Sequence, residues 1–150
     1  MRVLFTGGSS FSGMWFTEAL AAAGHEVVAV VTTGNQAATA AIDLQPDLAL
    51  IDVDLEGDTD AIETGRQVRA VADVPIVFLA TALDDDVLRR VKDAGPHGLL
   101  VKPVHELQLL GAVEIACQVH AIEQRLRRRE ARLHSILGAI GDGVVALDAD

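Results

Sequence analysis

Short apolar runs alternate along this chain with segments whose apolar residues recur at helical spacing. The apolar runs cover residues 2–6, 25–32, 48–51, 74–80 and 98–101. Helical patterns cover residues 11–23, 35–44, 61–72 and 84–94, and a long last helix extends from near 105 to about 139. Strands that alternate with helices indicate βαβ units with right-handed crossovers. The pattern therefore predicts a doubly wound α/β fold, a parallel sheet between two layers of helices.

The third apolar run ends in an ionisable side chain, Asp52. A short run that is apolar at every position is typical of a parallel strand buried on both faces. A carboxylate at the C-terminal end of such a strand lies in the crevice where open α/β sheets bind ligands. Asp52 is therefore a candidate site residue, although an aspartate that only caps the loop after a strand would occupy the same position.

Composition narrows the class of protein. The chain has 150 residues, half of them hydrophobic, which is enough for one domain with a real core. No uncharged apolar run approaches the roughly 20 residues of a membrane span, and Met1 does not open a cleavable signal. The single cysteine fits a reducing cytoplasm, and the net charge of −10 argues against a nucleic-acid face on the main body. We expect a cytoplasmic protein with no membrane or nucleic-acid partner.

A glycine-rich loop, Thr6–Gly13, separates the first strand from the first helix. The backbone N–H groups of such a loop can hold a pyrophosphate, so Gly7, Gly8 and Gly13 are candidate NAD(P)-binding residues. The match is imperfect, because Ser10 stands where the dinucleotide fingerprint has its middle glycine and no acidic residue follows the second strand. A turn that packs the helix closely on its strand would also require glycines.

Residues 1–31 resemble the opening βαβ unit of NAD-dependent epimerases and extended short-chain dehydrogenases, down to the turn Ala-Gly-His-Glu-Val-Val. This resemblance implies NAD(P) as a cofactor. Tyrosine, the usual general acid of that family, is absent from the sequence. An NAD(P)-binding Rossmann-type fragment is therefore the alternative hypothesis for this chain.

A different resemblance begins at residue 33. The segments on which it rests are Thr33–Ala37, Pro46–Asp52, Asp60–Glu63, Val74–Leu79 and Pro96–Pro103. In this order and spacing they are similar to the receiver domain of two-component response regulators. The resemblance implies a flavodoxin-like (βα)5 domain over residues 1–120, with strand order 2-1-3-4-5. Together the two resemblances suggest a chimera whose first βαβ unit has another origin.

The receiver resemblance also implies roles for particular residues. In that family the residue at the Asp52 position accepts a phosphoryl group from a histidine kinase or phosphotransfer protein, so the domain is a phosphoacceptor in a phosphorelay rather than a conventional enzyme. The residue at the Lys102 position contacts the acyl phosphate, and the peptide before the following proline, here Pro103, is typically cis. A cation at Lys102 would neutralise the negative charge that builds up on the phosphoryl oxygens. We therefore expect Asp52 and Lys102 side by side.

Two departures from the receiver pattern affect this chemistry. Receivers hold Mg²⁺ with an acidic pair after the first strand, where this chain has Gly7 and Gly8, so Asp52 and a backbone oxygen near Asp54 remain as weak ligands. Alanine occupies the usual hydroxyl position at the end of the fourth strand, and Thr81 follows one residue later, where a bulge could restore its direction. We expect weak or absent Mg²⁺ binding, which aspartate at positions 7 and 8 should strengthen if the backbone of that loop follows the receiver path. A pseudo-receiver that only dimerises is a further alternative.

The last helix is longer than a domain of this size needs. Its apolar residues follow alternating steps of three and four, with Arg129 at one core position: Val119, Ile122, Leu126, Leu133, Ile136 and Ile140. The spacing predicts a parallel two-stranded coiled coil and hence a homodimer; a helix that lies on its own domain is the alternative. The end of the chain resembles the first helix and strand of a PAS domain. Residues 121–150 would thus link the receiver to a PAS module, in a parent protein that is a histidine kinase or a diguanylate cyclase.

Overall fold

The computed structural model describes residues 1–7, 10–53, 61–81 and 84–140, and of residues 10–13 and 136–140 only the backbone. Strands and helices alternate along these ranges. The strands are β1 (Arg2–Thr6), β2 (Glu26–Val31), β3 (Leu48–Asp52), β4 (Ile76–Ala80) and β5 (Gly98–Val101). The helices are α1 (Ser10–Ala22), α2 (Gly34–Leu44), α3 (Ala61–Val71), α4 (Asp85–Ala94) and α5 (Glu106–Ile140).

The sheet is parallel throughout, and its strand order is β2-β1-β3-β4-β5. This confirms the predicted fold class and strand order. The element boundaries agree with the sequence pattern, with the largest difference at the start of β4. There Val74 and Pro75 precede the first paired residue, Ile76, because proline has no N–H group to donate to a neighbouring strand.

Each face of the sheet has its own apolar core. One core, which includes Phe5, Leu50 and Leu79, is covered by α1 and α5. The other includes Leu4 and Ile51 and is covered by α2, α3 and α4. Adjacent residues of a strand point to opposite faces, so the apolar runs fill both cores and leave few polar positions inside the sheet. Polar side chains of the strands are therefore concentrated where the strands end.

Helix caps fix the connections between strands and helices. The side-chain oxygens of Thr33 and Asp84 accept hydrogen bonds from backbone N–H groups in the first turns of α2 and α4. Helix α4 ends at Gly95, whose φ of 62° lies in the left-handed region that favours glycine. These caps set where each helix starts and stops, and hence where the strand ends meet.

Helix α5 changes its surroundings along its length. Its first part is buried against the sheet through Leu109, Val113 and Ala116, and none of the described side chains beyond His120 is buried. Although α5 has 35 residues, neither it nor any other helix in the described ranges is long and apolar enough to span a membrane. Gly8, Asp54 and the part of the PAS-like tail after residue 140 lie outside the described residues.

Candidate functional site

Asp52 and Lys102 are in contact at the C-terminal edge of the sheet. Lys102 Nζ donates a hydrogen bond to Asp52 Oδ2 and forms an ion pair with it. The Asp52 side chain is almost fully buried, with 2% of its surface exposed, and that of Lys102 is 21% exposed. The peptide between Lys102 and Pro103 is cis. The structure thus brings together the two residues that the sequence pattern paired.

The strand register explains how these side chains meet. Asp52 lies opposite Leu79, and Leu79 lies opposite Leu100, so the three side chains form a row on the face covered by α1 and α5. Lys102 follows Leu100 by two residues, and its backbone N–H donates to the carbonyl of Ala80. Strands β3 and β5 are about 10 Å apart because β4 lies between them. A long side chain such as lysine is required to cross that gap.

The predicted hydroxyl, Thr81, follows β4 directly and is exposed. Ala80, which stands at the usual hydroxyl position, is buried and pairs with Val101. Side chains of consecutive residues point to opposite faces of a strand, so Thr81 does not simply replace a hydroxyl at Ala80. Its role in the site stays a prediction.

Gly7 lies directly after β1, and its missing side chain leaves room for an aromatic ring. A Cβ atom added at Gly7 would be 2.4 Å from Phe5 Cε1, far inside the contact distance. Phe5 is buried and its ring stacks on Phe16 with a centroid separation of 5.4 Å. The space that an acidic side chain at position 7 would enter is therefore already filled. This disagrees with the expectation that aspartate at this position would simply strengthen metal binding.

The described residues are a poor fit for Mg²⁺. This ion requires several oxygen ligands in near-octahedral geometry. Asp52 is paired with Lys102, and the Cβ direction of Gly7 points into the Phe5 ring. Within the described ranges, no group of three or more histidine, cysteine or acidic residues is arranged to hold a metal ion. The predicted ligand Asp54 lies outside those ranges.

The described residues of the glycine loop give the NAD(P) hypothesis little support. The backbone N–H of Gly7 donates to the carbonyl of Val31 at 3.0 Å, so this donor belongs to the β1–β2 pairing and is turned away from a bound phosphate. Gly13 lies inside α1, and Gly8 is outside the described residues. The close Phe5 contact supports the simpler interpretation of Gly7 as a packing glycine.

A shallow cavity of about 480 Å³ opens beside Lys102. Its walls come from α1 and from the segment between β5 and α5: Trp15, Phe16, Lys102, Pro103, Val104, His105 and Glu106. Trp15 has 39% of its surface exposed, so part of its side chain is accessible from solvent. Any group that reaches Lys102 from this side has to pass over this largely apolar surface.

A second polar cluster, which the sequence pattern did not reveal, lies at the opposite edge of the sheet. His97 precedes β5 and His120 lies on α5, and their rings are 5.4 Å apart. The Ile76 N–H donates to His97 Nδ1, so the proton of this imidazole is on Nε2, which donates to Glu123 at 2.9 Å. His120 Nε2 contacts Asp73 at 3.0 Å. The cluster ties α5 to the starts of β4 and β5.

The same cluster lowers the pKa of its two carboxyl groups. The Gln124 side chain donates a hydrogen bond to Asp73, and with His120 and Arg127 it holds the pKa of Asp73 well below its ordinary 3.8. The hydrogen bond from His97 lowers the pKa of Glu123 below its ordinary 4.5. A carboxyl group with a depressed pKa stabilises the folded state when it is ionised.

We expect this cluster to contribute stability that is lost in acid. Because the folded-state pKa values are depressed, the contribution is complete above about pH 4.5 and disappears as the pH falls through the folded-state values. The double variant Asp73→Asn/Glu123→Gln should therefore have a lower urea midpoint than the parent at pH 7, with the gap closing towards pH 2. The gap should be modest, since 55% and 43% of these side chains are exposed. A gap that is the same at every pH would contradict the prediction; Asp43→Asn, on the outer surface of α2, is the control.

Comparisons with known proteins cover the region that contains the candidate site. The model of the response regulator receiver domain family matches residues 13–114. The transcriptional regulatory protein PdtaR of Mycobacterium tuberculosis is 29% identical over 138 residues, which are 89% of this chain and 67% of PdtaR. The DNA-binding response regulator MtrA of Mycolicibacterium smegmatis is 34% identical over 114 residues, which are 76% of this chain and 45% of MtrA. The chain thus spans less than half of MtrA.

A solved structure agrees with these relatives. The signal receiver domain of a modulated diguanylate cyclase from Desulfovibrio desulfuricans G20 superposes with a TM-score of 0.77 and 31% sequence identity, over 81% of this chain and 97% of that one. The family match covers more than half of the sequence and includes Asp52 and Lys102. The chain belongs to the response regulator receiver domain family of two-component systems.

Proposed function

We propose that Asp52 is the phosphoacceptor of this receiver domain and that Lys102 is the cation that neutralises the transferred group. The observation that supports this most directly is the buried Asp52–Lys102 ion pair at the end of β3. In the proposed step, an Asp52 carboxylate oxygen forms a bond to phosphorus while the bond from phosphorus to a histidine nitrogen of the donor breaks. The electron pair of that bond returns to the imidazole.

Lys102 is suited to this step because its ammonium group is already at the carboxylate. Phosphorylation increases the negative charge at Asp52, and a positive group fixed nearby stabilises that charge strongly where water is largely excluded. The lysine is also the more exposed partner of the pair. It can therefore shift from the carboxylate oxygen to a phosphoryl oxygen without a rearrangement of the sheet.

Receiver domains commonly bind Mg²⁺, and we infer that this one depends on it only weakly. The support is the Phe5 ring beside Gly7, which fills the position of an acidic ligand. Without that ligand, Lys102 is the main positive charge available at the site among the described residues. Phosphorylation should consequently be slow, because a single cation replaces the charge of a divalent metal.

The donor that fits this site is a histidine kinase or a phosphotransfer protein of the same signalling system. The cavity beside Lys102 supports this, because Trp15 and Val104 offer an apolar surface next to the lysine that contacts Asp52. Such a surface would hold a partner while its phosphohistidine reaches Asp52. As in other receivers of bacterial signalling pathways, we assign this exchange to the cytoplasm.

We further propose that residues 121–150 form a linker in which two copies of α5 pair and lead into a PAS domain. The exposed apolar residues Ile122 and Leu126 support the pairing. The output of the parent protein would be a histidine kinase or a diguanylate cyclase, and the origin of residues 1–31 in another family stays a hypothesis. MtrA is a DNA-binding regulator, but this chain matches only 45% of it, and the charge of −10 favours a receiver with no nucleic-acid face.

The proposal is tested by incubation with a small acyl-phosphate donor, with and without Mg²⁺, followed by mass spectrometry. We expect slow addition of one phosphoryl group to Asp52, a rate that changes little when Mg²⁺ is chelated, and no addition to Asp52→Asn. Asp43→Asn, an exposed carboxylate of α2, should be phosphorylated like the parent. No phosphorylation of the parent under any condition would favour the pseudo-receiver alternative, and fast addition that Asp52→Asn leaves unchanged would exclude Asp52.

A further inference from the structure

Helix α5 has an exposed stripe that starts on the receiver body itself. We define the α5 stripe as the residues that follow one another in steps of four and three from residue 115: Ile115, Val119, Ile122, Leu126, Arg129 and Leu133. Ile115, Ile122 and Leu126 are 59%, 55% and 55% exposed, which is far from the burial of core residues. The spacing is that of the core positions of a coiled coil. The stripe therefore begins before Val119, the first residue of the predicted coiled coil.

The stripe does not face the domain to which it belongs. The side of α5 that packs on the sheet contains Leu109, Val113 and Ala116, all of them buried. Farther along, the contacts from Glu123 to His97 and from Gln124 to Asp73 hold the helix in its direction. A different side of the helix thus faces the body, so folding back on the domain would not cover the α5 stripe.

Charged residues flank the α5 stripe, and the two flanks carry charges of opposite sign. If Val119, Leu126 and Leu133 take the first core position of the heptad, Ile115, Ile122 and Arg129 take the second. The flank before the first core position then holds Arg125 and Arg132, and the flank after the second holds Glu123 and Glu130. One edge of the stripe is basic and the other acidic.

This arrangement distinguishes the two ways in which two copies can pair. In a parallel, in-register pair, a residue on the first flank contacts the residue five positions later on the opposite flank of the other helix. Arg125 then meets Glu130 of the second copy, and the contact occurs twice by symmetry. In an antiparallel pair, each flank meets the same flank of the other helix, which sets arginine against arginine and glutamate against glutamate.

Arg129 is consistent with the parallel arrangement. A residue at the second core position lies next to the acidic flank of the opposite helix in a parallel pair. The guanidinium of Arg129 would therefore be near Glu130 of the second copy, and its long stem lets it reach solvent at the edge of the stripe. Glu123 is already bound to His97, so Glu130 is the acidic residue available for contacts between the copies.

We propose that the Arg125–Glu130 contact between two copies of this chain makes the pairing of α5 parallel and in register. This inference rests on the homodimer proposed above, and it adds orientation and partner choice. Both receiver domains then lie at the same end of the two paired helices. A helix whose basic and acidic flanks are exchanged would be rejected as a partner, which is how charged flanking positions set pairing in coiled coils.

The test uses sedimentation of the full chain at low salt, where surface charges are weakly screened. The single variants Arg125→Glu and Glu130→Arg each place like charges opposite one another in a parallel pair, and each should weaken dimerisation about tenfold. The double variant Arg125→Glu/Glu130→Arg restores opposite charges and should dimerise like the parent. Arg128→Glu makes the same charge change away from the stripe and should leave dimerisation nearly unchanged.

Each other outcome has a definite meaning. A parent that is monomeric at about 100 μM, where a micromolar dimer is largely associated, overturns the homodimer and this inference with it. A dimer that the single variants strengthen is antiparallel, and one that they do not affect owes nothing to this contact; either result overturns the inference and leaves the homodimer standing. Leu126→Glu/Leu133→Glu, which removes the apolar seam, should give a folded monomer. The phosphorylation assay is independent of all these results.

Discussion

Replacing Lys102 with methionine is expected to lower the free energy of unfolding by about 3 kcal/mol, because it removes the ammonium group that forms an ion pair with a buried carboxylate. Only 2% of the surface of the Asp52 side chain is exposed, so water solvates its charge poorly. Methionine has a similar length and volume and no charge, so the loss would reflect the missing cation rather than a cavity. The midpoint of urea denaturation measures the effect.

The two members of this ion pair should not be equivalent. When Asp52 is replaced by asparagine, Lys102 keeps access to water through its exposed fraction, so the expected loss is about 1 kcal/mol or less. The double variant Asp52→Asn/Lys102→Met should regain most of the stability that Lys102→Met loses, since it replaces the buried negative charge with a neutral amide. The contrary result is that the two single variants lose equal stability and that their losses add in the double variant. That result would show that burial of the carboxylate does not determine the energetics of the ion pair.

This asymmetry bears on how such a site can signal. An unphosphorylated domain whose lysine is held by a buried carboxylate has the cation positioned before the phosphoryl group arrives. The contact with Lys102 offsets part of the cost of burying Asp52, and in the proposed mechanism the same ammonium group would stabilise the acyl phosphate. If Asp52 is the phosphoacceptor as proposed, stability and phosphoryl transfer depend on one side chain, and variants of Lys102 should affect both.

Much of the fold was accessible from the sequence because the signals were local. Each strand is a short apolar run, each helix has a spacing of its own, and caps such as Thr33 and Asp84 lie where the pattern changes. Asp52 and Lys102 could be paired without a structure because the receiver resemblance implies their contact and because parallel strands end at one edge of a sheet. The sequence was sufficient where local patterns, strand direction and the receiver resemblance determined the geometry together.

The features that the sequence did not reveal depend on the directions of side chains from residues that are distant along the chain. Asp73, His97 and His120 are separated along the chain, and their cluster forms because α5 passes the starts of β4 and β5. A polar residue just before each of two neighbouring strands was a usable sign, since those strands begin at the same edge. The overlap of Phe5 with the space beside Gly7 had no such sign, because it depends on the direction of one aromatic ring.

The second large effect is that of the Phe5 ring on the stability of a variant with aspartate at position 7. Gly7→Asp should lower the free energy of unfolding by about 1–3 kcal/mol, because its Cβ would lie 2.4 Å from Phe5 Cε1 and the buried ring must move. Phe5→Val alone should also destabilise, by about 2 kcal/mol, through the volume that it removes. The double variant Phe5→Val/Gly7→Asp should be more stable than the sum of the two losses predicts, since the smaller side chain makes room for the new carboxylate.

Metal binding should follow the same logic. The Gly7→Asp side chain can act as a second oxygen ligand beside Asp52 only when the ring no longer fills its space, so Mg²⁺ affinity should rise in the double variant and stay weak in Gly7→Asp alone. Titration with Mg²⁺ can be followed through the fluorescence of Trp15, the single tryptophan, which lines the cavity next to Lys102. Gly111→Asp is the control for added charge, because a Cβ at Gly111 would meet nothing within 4 Å. If Gly7→Asp binds Mg²⁺ tightly without loss of stability, the Phe5 ring is not the barrier to a metal at this site.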